Sequence, residues 1–183
     1  MAIPVNGYIY RALQGHFEHI NIRLAAKTDM ADIARIYNQA IDLGYVTADT
    51  EHVTAESRRE VWETITAKQG RPFWVARDYN STVAFFYFRN FYDRPAYRIT
   101  AEIGIYIDAN YRGKGLGQFI LNYAMSQAPI LGLENVLALI FASNKNSIGL
   151  FEKNGFEKRG DFPGLAKSDN GYNDLIILLK KIQ

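Results

Sequence analysis

The chain has 183 residues, nearly half of them hydrophobic, with 12 Tyr, 11 Phe and a formal net charge of only +2. That length and composition fit one domain, or one domain with an extension, and supply enough apolar side chains for a real core, which sets disorder aside over most of the chain. There is no cysteine, so a disulfide framework, a thiolate zinc site and a cysteine nucleophile are excluded, and the small net charge argues against a broadly basic nucleic-acid surface.

Residues 1–18 show no clear period and read as an arm that packs on the domain or on a partner chain, or else as a partly ordered tail; the domain proper is 19–183. The N-terminus has neither a basic start nor a continuous apolar block, so no signal peptide is expected. No stretch approaches the roughly 20 apolar residues of a membrane span. A soluble cytoplasmic protein is the resulting expectation. His16, His19 and His52 show no metal-ligand spacing within one helix, so no metal site is expected.

In "HINIRLA", Ile20, Ile22 and Leu24 alternate with polar residues and predict a strand. "TDMADIARIYNQAIDLG" predicts a helix capped by Thr28 or Asp29, with one apolar stripe from Met30 to Ile41 and a stop at Gly44. Thr54 can cap a second helix carrying Val61, Trp62 and Ile65 and ending near Gly70. "PFWVARD" and "TVAFFYFRN" flank the turn residues "DYNS", a β-hairpin signal. The aromatic, charged "NFYDRPAY" reads as a loop. In "RITAEIGIYID" one face carries Ile99, Ala101, Ile103, Ile105 and Ile107, and the other Thr100, Glu102, Gly104 and Tyr106.

From the end of the stretch "YRGKGLG" onward, Leu116, Phe119, Ile120, Tyr123 and Ala124 make a third helical stripe. "NVLALIF" predicts a strand covered on both faces, and "SNKNSIGLFEKNG" a short helix with Ser143 or Asn144 near its cap. "FEKRGDF" and "YNDLIILLK" predict two last strands, joined by "PGLAKSDNG" read as a loop. The order β-α-α-β-β-β-α-β-α-β-β predicts a single α/β (α+β) domain with a mixed sheet.

"YRGKGLG" joins the end of a strand to the start of a helix. Glycines allow left-handed backbone angles and close approach of a ligand to the main chain. The first amides of a helix lack internal partners and sit at the positive end of its dipole, so the turn suits phosphate oxygens, with Arg112 or Lys114 adding charge. Alone this is a modest signal. A P-loop is excluded, because no Lys-Ser/Thr pair follows the glycines, and a dinucleotide fingerprint needs G-x-G-x-x-G rather than the G-x-G-x-G found here.

"RGKGLG" resembles the Q/R-x-x-G-x-G/A signature of the GNAT-superfamily N-acetyltransferases, with Arg112, Gly115 and Gly117 in its places. "TAEIGIYIDANYRGKGLG" is similar to that superfamily's fourth strand, pyrophosphate loop and third helix, and "ASNKNSIGLFEKNGFEKRG" to its later asparagine, helix and N-G-F turn. The subfamily most resembled is the phosphinothricin and methionine-sulfoximine acetyltransferases, over about residues 20 to 181. The resemblance implies a mixed, mostly antiparallel sheet splayed between its fourth and fifth strands and flanked by about four helices.

It also implies acetyl-CoA as cosubstrate and no metal. Ile105, Tyr106 and Ile107 would lie along the pantetheine, and Arg112, Gly113, Lys114, Gly115, Leu116 and Gly117 would hold the pyrophosphate. One backbone amide near Tyr106 would polarise the thioester carbonyl. Asn144 would approach the pantetheine arm, serve as a plain N-cap, or do both. Glu102, on its strand pattern alone, is a surface carboxylate or an acid–base group; the resemblance assigns it as general base and as a contact for the cationic substrate. Arg89, Arg94 or Arg98 would clamp a carboxylate, each being otherwise a solvated loop charge, and Tyr97 would form a wall.

Two departures stand out. Where many members carry a tyrosine proposed to protonate the leaving thiolate, this chain has Phe151; where relatives often show Trp-His-Asp, it has Tyr172, Asn173 and Asp174. The expected reaction is acetyl transfer from acetyl-CoA to the primary amine of a small molecule, an amino acid or analogue, in a homodimer with no nucleic-acid or membrane partner. A protein or peptide N-acetyltransferase and a non-catalytic acyl-CoA sensor are the alternatives.

Overall fold

The computed structural model describes residues 17–168 and 171–182, so nearly all of the predicted arm lies outside the described residues. At the arm's end, the buried Phe17 ring packs on Phe119, centroids 5.4 Å apart. The elements are β1 (Ile20–Leu24), α1 (Met30–Ile41), α2 (Ala55–Glu63), β2 (Phe73–Asp78), β3 (Ser81–Asn90), β4 (Thr100–Ile107), α3 (Leu116–Gln127), β5 (Asn135–Phe141), α4 (Lys145–Lys153), β6 (Glu157–Ser168) and β7 (Gly171–Lys181). They follow the order read from the sequence. No helix among the described residues is long and apolar enough to cross a membrane.

The strands form one sheet in the order β1-β2-β3-β4-β5-β7-β6, antiparallel throughout except for the parallel β4–β5 pair. That pair is short. It runs from Thr100 opposite Asn135 to Glu102 opposite Leu137, after which β4 continues to Ile107 and β5 to Phe141 without pairing. The sheet is splayed there, as the resemblance implied.

Alternation on the inner strands builds two cores, one per face. Phe86, Phe88, Ala101 and Ile103 pack under α3 with Phe119 and Ile120. Phe85, Tyr87, Phe73 and Val75 pack under α1 with Ile33, Ile36 and Tyr37. The Glu102–Tyr106 face of β4 therefore looks into a second, aromatic core rather than into solvent, with the Tyr106 ring 4.8 Å from that of Phe85.

Local chemistry explains most boundaries. Thr54 caps α2 by accepting from the Ser57 amide at 3.1 Å. Asp29 precedes α1, but its carboxylate takes the Arg23 guanidinium at 2.7 Å from each oxygen and the Ala26 amide at 2.7 Å, rather than capping the helix with its side chain. Two expectations are corrected. Leu24, expected inward with Ile20 and Ile22, is exposed at the end of an edge strand. Most of the stretch read as a loop before β7 is strand, since β6 runs on to Ser168. A register shift between Phe162 and Ala166 absorbs Pro163, whose missing donor is tolerated on an edge strand.

Candidate active site

The glycine turn has the geometry of an anion cradle. Gly115 is the N-cap of α3 with φ of 90° and no side-chain cap, so the first amides of the helix keep open donors. Gly113 is also left-handed, at φ 73°. Gly117 serves packing instead, since a Cβ there would lie 3.2 Å from Leu150 and 3.4 Å from Ile107. Leu116 is buried, leaving only its backbone for a ligand. Arg112 is partly committed: its Nε donates to the Ile107 carbonyl at 2.9 Å and fastens the loop to the end of β4. Lys114 lies over the Tyr111 ring, and the Tyr111 hydroxyl donates to Asp78 at 2.6 Å.

A buried network holds the turn before this loop. Asp108, just past β4, accepts from Arg35 and Gln39 of α1 and from the Asn110 amide, while Gln39 accepts from the Ala109 amide at 2.9 Å. Burial works to raise the Asp108 carboxyl, but the Arg35 guanidinium and the other donors outweigh it and hold the group below the usual carboxylate range. Such a depressed group stabilises the fold above its unfolded pKa of about 3.9, and that contribution disappears as pH falls through the lower folded value. Asp108→Asn is expected to cost about 1–2 kcal/mol at neutral pH. In urea titrations, the gap between the variant and the parent should close as the solution becomes acid. A gap unchanged down to acid pH would disprove the charge-based account.

Backbone parity shows what the wedge offers. The Asp108 amide donates to Val83 of β3 and the Ile99 carbonyl accepts from the β5 side, so alternation turns the Ile105 and Ile107 amides and the Ile105 carbonyl toward the open wedge, the Ile107 carbonyl being taken by Arg112. Tyr106 turns its backbone to β3 and its ring to the other core. Open donors on an unpaired strand edge, with the uncapped first amides of α3 at the loop beyond, fit an extended thioester cosubstrate carrying a pyrophosphate. Asn144 caps α4 by accepting from the Ser147 amide at 3.2 Å.

On the face of α1 and α2, beside the splay, lies a cavity of about 540 Å³ lined by Tyr37, Arg58, Tyr87, Arg89, Glu102 and Tyr106, with β5–β7 supplying its apolar side. Glu102 is 14% exposed and sits directly across from Arg89, which is 46% exposed; one Arg89 nitrogen, Nη2, donates to both carboxylate oxygens, at 2.7 and 2.8 Å. A single bridging nitrogen orients the carboxylate and leaves its outer lone pairs open. Gly104 makes room for this arrangement: a Cβ there would come within 2.6 Å of the Tyr87 ring. Burial pushes the Tyr87 phenol up to about 12, and burial raises Tyr106 well above its ordinary value. Both therefore stay protonated, as hydrogen-bond donors rather than ready acids.

Other predicted residues fall elsewhere. Tyr97 packs edge-on against Phe91 and Tyr92, and Arg94 and Arg98 line a separate depression beside the loop after β3. The buried Arg71 pins that loop through Asn90 and the Arg98 carbonyl. The structure thus does not bring Tyr97, Arg94 or Arg98 to the Glu102 cavity. Phe151 is buried against Phe156 in the core under α3, so it is a packing residue. Sequence reasoning missed Tyr37 and Arg58 as cavity residues.

The splayed sheet, the wedge-facing amides and the glycine cradle define the class, an acetyl-CoA-dependent N-acetyltransferase. The family model described as "Acetyltransferase (GNAT) family" matches residues 33–156. YwnH of Bacillus subtilis, whose name assigns it provisionally to the phosphinothricin acetyltransferases, is 46% identical over 164 residues, 89% of this chain and 99% of its own. The L-methionine sulfoximine/L-methionine sulfone acetyltransferase of Pseudomonas aeruginosa is 31% identical over 160 residues, 86% of this chain and 92% of its own. A phosphinothricin acetyltransferase of Sinorhizobium meliloti, solved with acetyl-CoA, superposes with a TM-score of 0.84 at 25% identity, covering 90% of this chain and 89% of its own. The chain belongs to the GNAT acetyltransferase family.

Proposed function

We propose that this chain acetylates the primary amine of a free amino acid or amino-acid analogue of the phosphinothricin or methionine-sulfoximine kind, with Glu102 as general base. The observation that carries the reading is the Glu102–Arg89 pair in a cavity beside the splayed edge of β4. An α-amino acid brings an ammonium and a carboxylate on one carbon. Glu102 attracts the ammonium and takes its proton, directly or through a water on an outer lone pair. Arg89 has N–H groups beyond the one used on Glu102, and these receive the substrate carboxylate.

Acetyl-CoA supplies the acetyl group as an activated thioester. The residues proposed to hold it are Ile105 and Ile107 by their backbones, Arg112 through Gly117 at the pyrophosphate, and Asn144 beside the arm. An amide on the open edge of β4 stabilises the charge that develops on the carbonyl oxygen. The neutral nitrogen attacks the carbonyl carbon, gives up its second proton to solvent, and the C–S bond breaks. A thiol of pKa about 8.5 leaves well enough near neutral pH for solvent to return the proton. The raised phenols of Tyr87 and Tyr106 favour that route over proton donation from the protein. The homodimer expected from the resemblance, and the cytoplasmic location expected from the sequence, belong to the same reading.

A cavity of about 540 Å³, roofed by the α1–α2 loop and by β6, suits a small acceptor better than a peptide. The test is thiol release from acetyl-CoA over a panel of free amino acids, their sulfoximine and phosphinic analogues, polyamines and short peptides. Release with free amino acids or analogues alone is the expected outcome. A preference for peptides would favour the peptide acetyltransferase, and binding of acetyl-CoA without release for any amine would favour the sensor.

A further inference from the structure

The cavity wall formed by α1 and α2 carries an unused donor. Tyr37 of α1 bonds Thr47 at 2.6 Å and donates to Asp49 at 2.8 Å, and its phenol is held above its ordinary value first by burial and also by Asp49, so it keeps its proton. Over this ring lies the Arg58 guanidinium of α2, its central carbon 4.2 Å from the ring centroid. Arg58 is 14% exposed, and its nearest carboxylate contact, Nη2 to Asp49, is 3.9 Å, beyond hydrogen-bonding distance. Its Nε is buried without a partner. Among the described residues the guanidinium makes no hydrogen bond, whereas the cavity's other arginine, Arg89, is engaged on Glu102.

The Nε is closed off from the cavity, so the donors Arg58 can offer a ligand are the N–H groups of its two terminal nitrogens, which make no hydrogen bond among the described residues. The aromatic face of Tyr37 holds the cation in place without using its donors. Asp49 nearby offsets the charge, so this wall offers hydrogen bonds with little net field, which suits a neutral acceptor group better than an anion. We infer that Arg58 is the specificity residue for the far end of the acceptor's side chain, donating to a neutral polar oxygen such as that of a sulfone, a sulfoximine or a carboxamide. The assignment rests on the amino-acid acetyltransferase reading, in which Glu102 and Arg89 take the α-amino and α-carboxylate groups.

The test uses the full chain with methionine and methionine sulfone, which have closely similar carbon skeletons and differ in the two sulfone oxygens. The parent is expected to prefer the sulfone, and Arg58→Met to lower the sulfone-to-methionine ratio of kcat/KM by about 10-fold or more. That loss should appear in KM for the amino acid while KM for acetyl-CoA stays unchanged, and Arg58→Lys should recover part of the ratio. A parent without the preference, or an Arg58→Met variant that keeps it, overturns the assignment. Asp49→Asn provides a second variant should Arg58→Met fold poorly: it leaves Arg58 in place without its counter-charge and should shift preference toward the phosphinic analogue, and an unchanged preference would count against the assignment. Thermal shifts by the sulfone with CoA present separate the two readings. A shift lost in Arg58→Met without any turnover in the parent would support the subsite and refute the acetyltransferase assignment; neither shift nor turnover would overturn both.

Discussion

Glu102→Gln is expected to lower kcat for amino-acid acetylation by about 10²- to 10⁴-fold, the usual scale for a general base, while KM for acetyl-CoA stays the same. Glutamine keeps the shape and one acceptor for Arg89, so the loss reports the missing charge rather than a collapsed site. Arg89 is 46% exposed, and solvent covers its charge when the partner is neutral, so the fold should lose little. The deficit should shrink as pH rises above the pKa of the acceptor's own amine, because the nucleophile then arrives already neutral. Steady-state kinetics across that range settle the matter. A variant with the parent's rate at neutral pH would remove Glu102 from the chemistry, and a deficit constant across pH would make it a binding residue only.

What could be read beforehand was local or motif-borne. The alternation of Ala101 to Ile107 and the cap at Thr54 depend on neighbours in the chain, and the element order followed from such signals, although Ile99, read as the start of that face, is exposed in the turn before β4. The glycine cradle and the splay came from a motif match spanning strand, loop and helix. The partnership of Arg89 with Glu102 was not legible, because a long loop separates β3 from β4 and its length does not fix the register that sets those two side by side. Gly104 was placed on the Glu102 face of the strand, and only the packed Tyr87 ring shows why that position has no side chain. Nothing in the sequence singled out Arg58, whose burial depends on packing against Tyr37 of α1. Tyr97 failed in the opposite way: its loop has the right aromatic character, but Arg71 pins it away from the cavity.

Gly115→Val is expected to raise KM for acetyl-CoA by about 100-fold or more while leaving kcat at saturation much less affected. Gly115 sits at φ 90°, a conformation that a β-branched residue adopts only under strain of about 1–3 kcal/mol. The chain relieves that strain by rotating the turn, and rotation re-aims the first amides of α3. Each amide on a phosphate is a charge-assisted hydrogen bond, so misplacing two accounts for a change of about 100-fold. Sterics alone would not produce it, because the nearest atoms to a Cβ at this position belong to the Phe17 ring at 3.7 Å, an ordinary contact. Backbone angle is therefore the variable, and Gly115→Asn, which tolerates left-handed angles, should lie between parent and valine. Titration of the three proteins with CoA would show that order in Kd. Equal affinity for the parent and the valine variant would mean that the loop amides do not hold the pyrophosphate.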